Sequence, residues 1–365
     1  MAAPPNYPND TAERAEEILR TLPFYAEPAK ESVPKETAEN AMIVAFDVET
    51  TGYFYKDRLL QLGAVCENGE KFLMYIRPIT RTIDKKVTAM TNIDCRDGQL
   101  FYKGKPVESV ELGAAMEAFV SWLSQLPYQS DNQPLLLIGY NSHSSDERYL
   151  IQSIPSDVST HQILQRAVFG DVHKAAPTFL GRPRKRSLAG ASLNSLKLKD
   201  VYSFLGLDQQ KKFEEHNALE DARAALAVFQ HFAQRYGRER ALNALEIYTF
   251  SYRYNLQSQR NAKEERLKDM WPLYQRFRGV PEDPNFPLAS ISKPEAEQLA
   301  RAGFSMELLK EQFQAYGGVF ITRLLFDGLQ QDQMRGQPQG QPNNDQVNRW
   351  LQLAEDAAGF FTNSH

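Results

Sequence analysis

The sequence predicts an α/β fold, a mixed five-stranded sheet flanked by helices and followed by an all-helical C-terminal region. Three observations predict it. Short apolar runs of strand length recur between Ala41 and Val172. From Glu108 onward they alternate with segments of helical periodicity, as far as Tyr236. Beyond Gly237 no strand pattern occurs, only helical stretches punctuated by Pro and Gly.

The 365 residues leave room for two domains, and 42% hydrophobic with 11% aromatic residues can fill a sizeable core. No apolar run is long enough to cross a bilayer, so no membrane association is expected. Met1 to Asp10 is polar and Pro-rich, unlike a secretory signal; a nuclear or cytoplasmic protein is expected, not a secreted one. Cys66 and Cys95 are the only cysteines, far apart and without a Cys/His cluster, which argues against a disulfide framework or a zinc site. The net charge of −4 also constrains function. A protein that grips nucleic acid mainly by neutralising phosphates is usually basic, so nucleic-acid chemistry here would need bound cations or local basic patches.

Taken in order, residues 1–40 read as a Pro/Ala/Glu-rich tail with one short helical pattern at Ala12–Leu22. Met42 to Phe46 is a continuous apolar run ending near a Thr50-Thr51-Gly52 turn. Leu59–Cys66 and Lys71–Arg77 are two further strands, and the Asn68-Gly69 between them predicts a hairpin. Glu108–Leu126 places Leu112, Ala115, Met116, Phe119, Val120 and Leu123 on one helical face. Leu135–Gly139 predicts a buried strand, Ser145–Ile154 a helix and Ala167–Val172 another strand. From Val172 to Ser192 the chain reads as loop, with Pro177, Gly181, Pro183 and Gly190. Helices resume at Ser192–Leu205 and Ala218–Tyr236.

This gives a domain over residues 41–235 and a helical accessory domain over 236–329. In the latter, Ser292-Lys293-Pro294-Glu295 forms a capping-box start, and Gly303 and Gly317-Gly318 mark helix ends. Residues 330–344, rich in Gln, Pro and Gly, read as a linker. A last amphipathic helix at 345–365 aligns Val347, Trp350, Leu351, Ala354, Ala358 and Phe361.

Three motifs carry chemistry. Asp47-Val48-Glu49 closes the first strand, and residues two apart on a strand share a face. Two carboxylates held together there repel unless a cation sits between them. The bland alternative is a solvated strand end. Asp146 opens a helix after Leu136-Leu137-Ile138-Gly139-Tyr140-Asn141; alone, it reads as an acid favouring the helix dipole. In His216-Asn217-Ala218-Leu219-Glu220-Asp221, Asn217 is the expected N-cap with Glu220 three residues on. His216 then stands just outside the helix and Asp221 in its first turns. A loop histidine titrating near neutrality suits proton transfer, although an exposed loop residue reads the same way.

Together, Asp-x-Glu, Asp and His-x₄-Asp, each at the edge of a predicted element, resemble the DEDDh 3′→5′ exonuclease superfamily over residues 41–235. Leu59-Leu60-Gln61-Leu62-Gly63-Ala64-Val65, Val87-Thr88-Ala89-Met90-Thr91-Asn92-Ile93 and Ser195-Leu196-Lys197-Leu198-Lys199-Asp200 extend the likeness. Within the superfamily the chain looks most similar to the PML-like exonucleases, through Ile291-Ser292-Lys293 and Ala300-Arg301-Ala302-Gly303-Phe304, over most of residues 41–330. The second motif departs from the family pattern. Tyr140 stands where a His is usual, one extra residue precedes Asp146, and Ser145 replaces an aromatic residue.

The resemblance implies an RNase H-like fold and metal-dependent hydrolysis of phosphodiester bonds from a 3′ end. It implies two Mg²⁺ or Mn²⁺ ions, about 3.5–4 Å apart, held by Asp47, Glu49, Asp146 and Asp221, with His216 as general base. Oxygen ligands suit such hard cations. The terminal nucleotide of a single-stranded or 3′-ended nucleic acid would lie over Val48, Glu49, Thr50, Thr51 and Gly52, with Asn141 a further contact. Arg182, Arg184, Lys185 and Arg186 could reach phosphates, form a nuclear import signal, or simply be a solvated loop. Residues 253–278 interleave basic side chains with Tyr254, Trp271, Tyr274 and Phe277, a mixture used in base stacking and, more often, in helix packing. The C-terminal helical region could also take a protein partner.

Overall fold

The computed structural model describes residues 35–269 except 53–57, 79–82, 131, 156, 182–192 and 210–212, together with positions 18, 33, 304, 305, 307, 308, 311, 312, 315 and 324. Two compact units result, 29–257 and the remainder, 1–28 with 258–365. The sheet and every described residue of the site belong to the first unit. The expected helices, linker and C-terminal amphipathic helix beyond residue 269 lie largely outside the described residues, as do the basic residues at 182–186.

The unit is built on a mixed sheet. Strands β1 (Met42–Thr50), β2 (Leu59–Cys66) and β3 (Lys71–Tyr75) form an antiparallel meander. Three short strands, β4 (Ile93–Arg96), β5 (Gln99–Tyr102) and β6 (Lys105–Pro106), make a separate small sheet. Strands β7 (Leu135–Gly139) and β8 (Ala167–Asp171) then run parallel to β1 on its other edge, and β9 (Tyr248–Thr249) closes the sheet antiparallel to β8. The order is β3-β2-β1-β7-β8-β9. The sheet therefore has six strands instead of five, because the two-residue β9 is too short to show any alternation in sequence.

Alternation of side chains divides the interior into two layers. Met42, Val44, Phe46 and Val48 of β1 face one core with Leu135 and Leu137 of β7 and the helices α3 (Leu112–Ser124) and α4 (Asp146–Ser153). Ile43 and Ala45 face the other, with Leu136 and Ile138 and the 19-residue helix Ala218–Tyr236, here α8. Each fully buried Phe, Leu or Ile contributes roughly 1.5–3 kcal/mol of transfer free energy, so strands buried on both faces dominate the stability.

The remaining helices follow local signals. α1 (Lys35–Glu39) precedes the sheet, and α2 (Lys85–Thr91) starts on Asp84, which caps the Lys86 N–H at 2.7 Å. α5 (Gln162–Gln165) precedes β8. α6 (Val172–Leu180) replaces the loop expected from Val172 to Ser192. It survives the internal Pro177 because Asp171 caps its first turn and Val172, Ala175 and Ala176 are buried. α7 (Leu198–Phe204) is shorter than the expected Ser192–Leu205. The expected domain edge at 235 falls inside the unit. α9 (Arg238–Asn243) and the first turns of α10 (Phe250–Asp269) bury Ala241, Leu242 and Phe250 on the same cores.

Candidate active site

One end of β1 sets the site. Asp47 and Glu49 point to the α8 side of the sheet, directly opposite Gly63 and Gln61 of β2. Those two partners explain why α8 can begin there. A Cβ on Gly63 would lie 2.2 Å from the Leu219 nitrogen and 2.3 Å from the Ala218 carbonyl carbon, so only glycine admits the helix start. The buried Gln61 carboxamide oxygen accepts the Ala218 N–H at 2.9 Å, satisfying a donor that the helix leaves free. Asn217 is the N-cap, as its sequence position suggested, accepting the Glu220 N–H at 3.3 Å. Its amide nitrogen donates to the Tyr102 hydroxyl of the small sheet at 3.1 Å.

The register of β1 with β2 slips between Glu49 and Thr50, beside these carboxylates. The slip reverses which side each β2 residue faces. Leu59 joins the α3/α4 core, while Leu60 anchors the small sheet with Val87, Ile93 and Leu100.

His216 has a left-handed backbone, φ 62°, and its N–H donates to Asp221 Oδ2 at 3.0 Å. Ligand atoms of Glu49, His216 and Asp221 all fall within 4.8 Å of one another. Asp146 reaches the cluster from the other side of the sheet, at the first residue of α4. The chain passes from β7 to α4 through Asn141 in the left-handed region, φ 61°, and one 3₁₀ turn over Ser142–Ser144. Ser145 donates its hydroxyl to Asp146 Oδ2 at 3.0 Å.

The electrostatics are those of like charges forced together. Burial, then Asp146, Asp221 and Glu49, hold Asp47 well above the usual carboxylate range. Burial, then Asp221 and Asp146, push Glu49 up to about 8. Asp146 rises to about 7 because burial outweighs the hydrogen bonds from Ser145 and from the backbone of Asp146 and Val48. Asp221 also reaches about 7, burial and the Asp146 and Glu215 charges outweighing the His216 and Asn217 backbone bonds. Among the described residues, no Lys or Arg is a principal influence on any of the four.

This donor set fits hard divalent cations. Four clustered carboxylates favour either protons or a metal, and oxygen-rich sets suit Mg²⁺ or Mn²⁺ over softer ions.

The other expected contacts separate. Asn141 lines a cavity of about 470 Å³ together with Asp47, His216 and Asp221. The Val48 side chain is buried in the α3/α4 core, and its backbone bonds the Asp146 carboxylate. The Thr50 hydroxyl donates to the Gly52 carbonyl at 2.6 Å, and the Thr51 hydroxyl accepts the Arg58 N–H at 3.1 Å.

Sequence reading missed the rest of the cavity wall. Tyr140, His173 and Phe213 line it with Leu196 and Lys199. The Tyr140 hydroxyl donates to the Leu196 carbonyl at 2.7 Å, with its ring edge-on to His173. Asp171 was also missed, although an acid at a strand end is a readable signal. It is fully buried, accepts the Asn141 and His173 N–H groups at 2.7 and 3.0 Å, and so fixes the turn leading to Asp146.

No protein-family model matches the chain, and no curated protein matches it. Solved structures do. E. coli exonuclease I in complex with a dA16 oligonucleotide aligns at 16% identity and a TM-score of 0.40, over 55% of this chain and 42% of that one. Exonuclease I complexes with the inhibitor BCBP and with a 5cy-dT13 oligonucleotide align at 14% identity and a TM-score of 0.38, over 89% of this chain and 74% of that one. At this distance the alignments say nothing about substrate or mechanism.

Proposed function

We propose that the chain is a divalent-metal-dependent 3′→5′ exonuclease of the DEDDh type, most similar to the PML-like exonucleases, acting on single-stranded or 3′-ended nucleic acid. The observation that carries this reading is the convergence of Asp47, Glu49, Asp146 and Asp221 from three separate elements, all held above their ordinary pKa by burial and, in Asp47, Glu49 and Asp221, by one another's charge. Such a cluster is destabilising unless it binds something cationic. Clusters that perturb their own titration in a cleft are where chemistry is usually done.

Asp47, Glu49, Asp146 and Asp221 would hold Mg²⁺ or Mn²⁺. When bound, these ions supply charge compensation for the phosphodiester and lower the pKa of an attacking water. The protein's own groups do the rest. His216, half-buried on the wall of the cavity, takes the proton from the attacking water. The Asp221 carboxylate fixes the His216 backbone through the 3.0 Å bond and so sets the direction of the ring. The cavity beside Asp47, walled by Tyr140, Phe213 and Leu196, offers apolar surface against which a terminal nucleoside can lie.

The test is digestion of 5′-labelled DNA and RNA single strands with Mg²⁺ or Mn²⁺, resolved as ladders. Wild type should shorten at least one of them from the 3′ end; Asp47→Ala and His216→Ala should not. Cutting by both variants at the wild-type rate would remove the site assignment.

A further inference from the structure

The residue after Asp146 is a glutamate, Glu147, in the first turn of α4 and with no exposure at all. Its carboxylate is held at both oxygens. Glu147 Oε2 faces His143 Nδ1 at 2.5 Å, and Oε1 is ion-paired with the Arg253 guanidinium. Arg253 is itself nearly buried and donates through Nη2 to the His143 carbonyl at 3.0 Å. The second ring nitrogen of His143 faces the Glu246 carbonyl at 2.8 Å. Tyr248 flanks both partners, 5.0 Å from the His143 ring and 5.5 Å from the guanidinium. This network locks the 3₁₀ turn at Ser142–Ser144 to α4 and to the start of α10.

That turn leads straight into Asp146 at the start of α4. There the Asp146 carboxylate must be held among others of the same sign. We propose that Glu147, clamped by His143 and Arg253, is the positioning residue that sets Asp146 in the carboxylate cluster. This rests on the metal-dependent reading above. Glu147 touches neither substrate nor metal in this role; it fixes the helix start that presents Asp146. Groups that orient a metal ligand typically carry 10–100-fold of metal affinity.

The 365-residue chain is titrated with Mn²⁺, free Mn²⁺ being read by electron paramagnetic resonance, and exonuclease kinetics are measured alongside. Glu147→Gln keeps the shape and removes the charge. It should raise the Mn²⁺ concentration for half-saturation about tenfold or more, and lower kcat by a similar factor with oligonucleotide KM within about twofold. Phe232→Leu is the control for general destabilisation. It lies eleven residues beyond Asp221, about 16 Å along α8, and should lose melting temperature with wild-type Mn²⁺ affinity.

A Glu147→Gln protein that titrates like Phe232→Leu overturns the proposal. If Glu147→Gln does not fold, Arg253→Lys is judged by the same criterion. If neither folds, the network serves the fold alone and the positioning role is refuted. Wild-type protein that binds no Mn²⁺ and cuts nothing would instead overturn the proposed function itself, and the positioning role with it.

Discussion

Replacing Gly63 by alanine tests the geometry of the site without touching any of its chemical groups. The added Cβ would sit 2.2 Å from Leu219 N, 2.3 Å from the Ala218 carbonyl carbon and 2.6 Å from its oxygen, where ordinary contact begins at 3.4 Å. Relief requires about 1.2 Å of movement, the difference between contact and clash. Strand β2 is bonded to β1 on one edge and β3 on the other, so the start of α8 is the part free to retreat. Retreat carries His216 and Asp221 away from Asp47 and Glu49. Overpacking of this kind costs roughly 1–3 kcal/mol of stability. A displacement of about 1 Å in a reacting constellation can cost about 10²-fold in rate. Gly63→Ala is therefore expected to fold, to melt lower, to bind Mn²⁺ more weakly, and to cut about a hundredfold more slowly. Calorimetry, Mn²⁺ titration and single-strand digestion measure the three quantities. A variant with metal affinity and rate both within about twofold of wild type would refute the claim that docking of α8 on Gly63 assembles the site.

Three further outcomes follow from the same structure. With metal removed by EDTA, stability should fall as pH rises, because the carboxylates have folded pKa values above their unfolded ones. Their contribution is fully present below about pH 4 and is lost through about 7 to 8, on the order of a few kcal/mol, and melting curves from pH 5 to 9 should show it. Saturating Mg²⁺ should shrink that slope, and Glu49→Gln should flatten it; a metal-free protein whose stability rises over this range contradicts the cluster. His216→Ala should lose about 10²–10⁴ in kcat if the imidazole is the base while Mn²⁺ affinity stays near wild type; loss of affinity instead would make His216 a ligand. Asn217→Ala removes the α8 cap and the bond to Tyr102, so thermal unfolding should report a loss of about 1–2 kcal/mol.

Much of the site could be read in sequence because its residues stand at element edges marked by short-range signals. The apolar run of β1, the Asn68-Gly69 hairpin, and Asn217 ahead of a 3.6-residue period are all local patterns. The bounds of α8 and of β2 and β7 match the sequence expectation to the residue. What escaped is either too short or too distant. The small sheet has strands of four, four and two residues, although Asp97-Gly98, with φ of 51° and 82°, was a hairpin signal. Helix α6 hid behind Pro177, since a proline is read as a break while its burial is invisible. The contacts of Tyr102 with Asn217 and of Arg253 with Glu147 join positions more than a hundred residues apart. No window of sequence contains both partners. The altered segment before Asp146 was visible, but its remedy was not.

The docking of α8 on β2 bears on the order in which the molecule assembles. Gln61 and Ala218, which bond across it, are 157 positions apart in the chain. Contacts that close so long a loop form after the local hairpins, because chain entropy opposes them until neighbouring structure is in place. Asp47, Glu49 and Asp146 are all synthesised before the helix that brings His216 and Asp221. A growing chain on the ribosome thus holds an incomplete carboxylate cluster until residue 221 has emerged. Pulse-labelled hydrogen exchange during refolding should find the β1–β3 amides protected before those of α8. Until that helix docks, the chain would lack part of the cluster on which the proposed reaction depends.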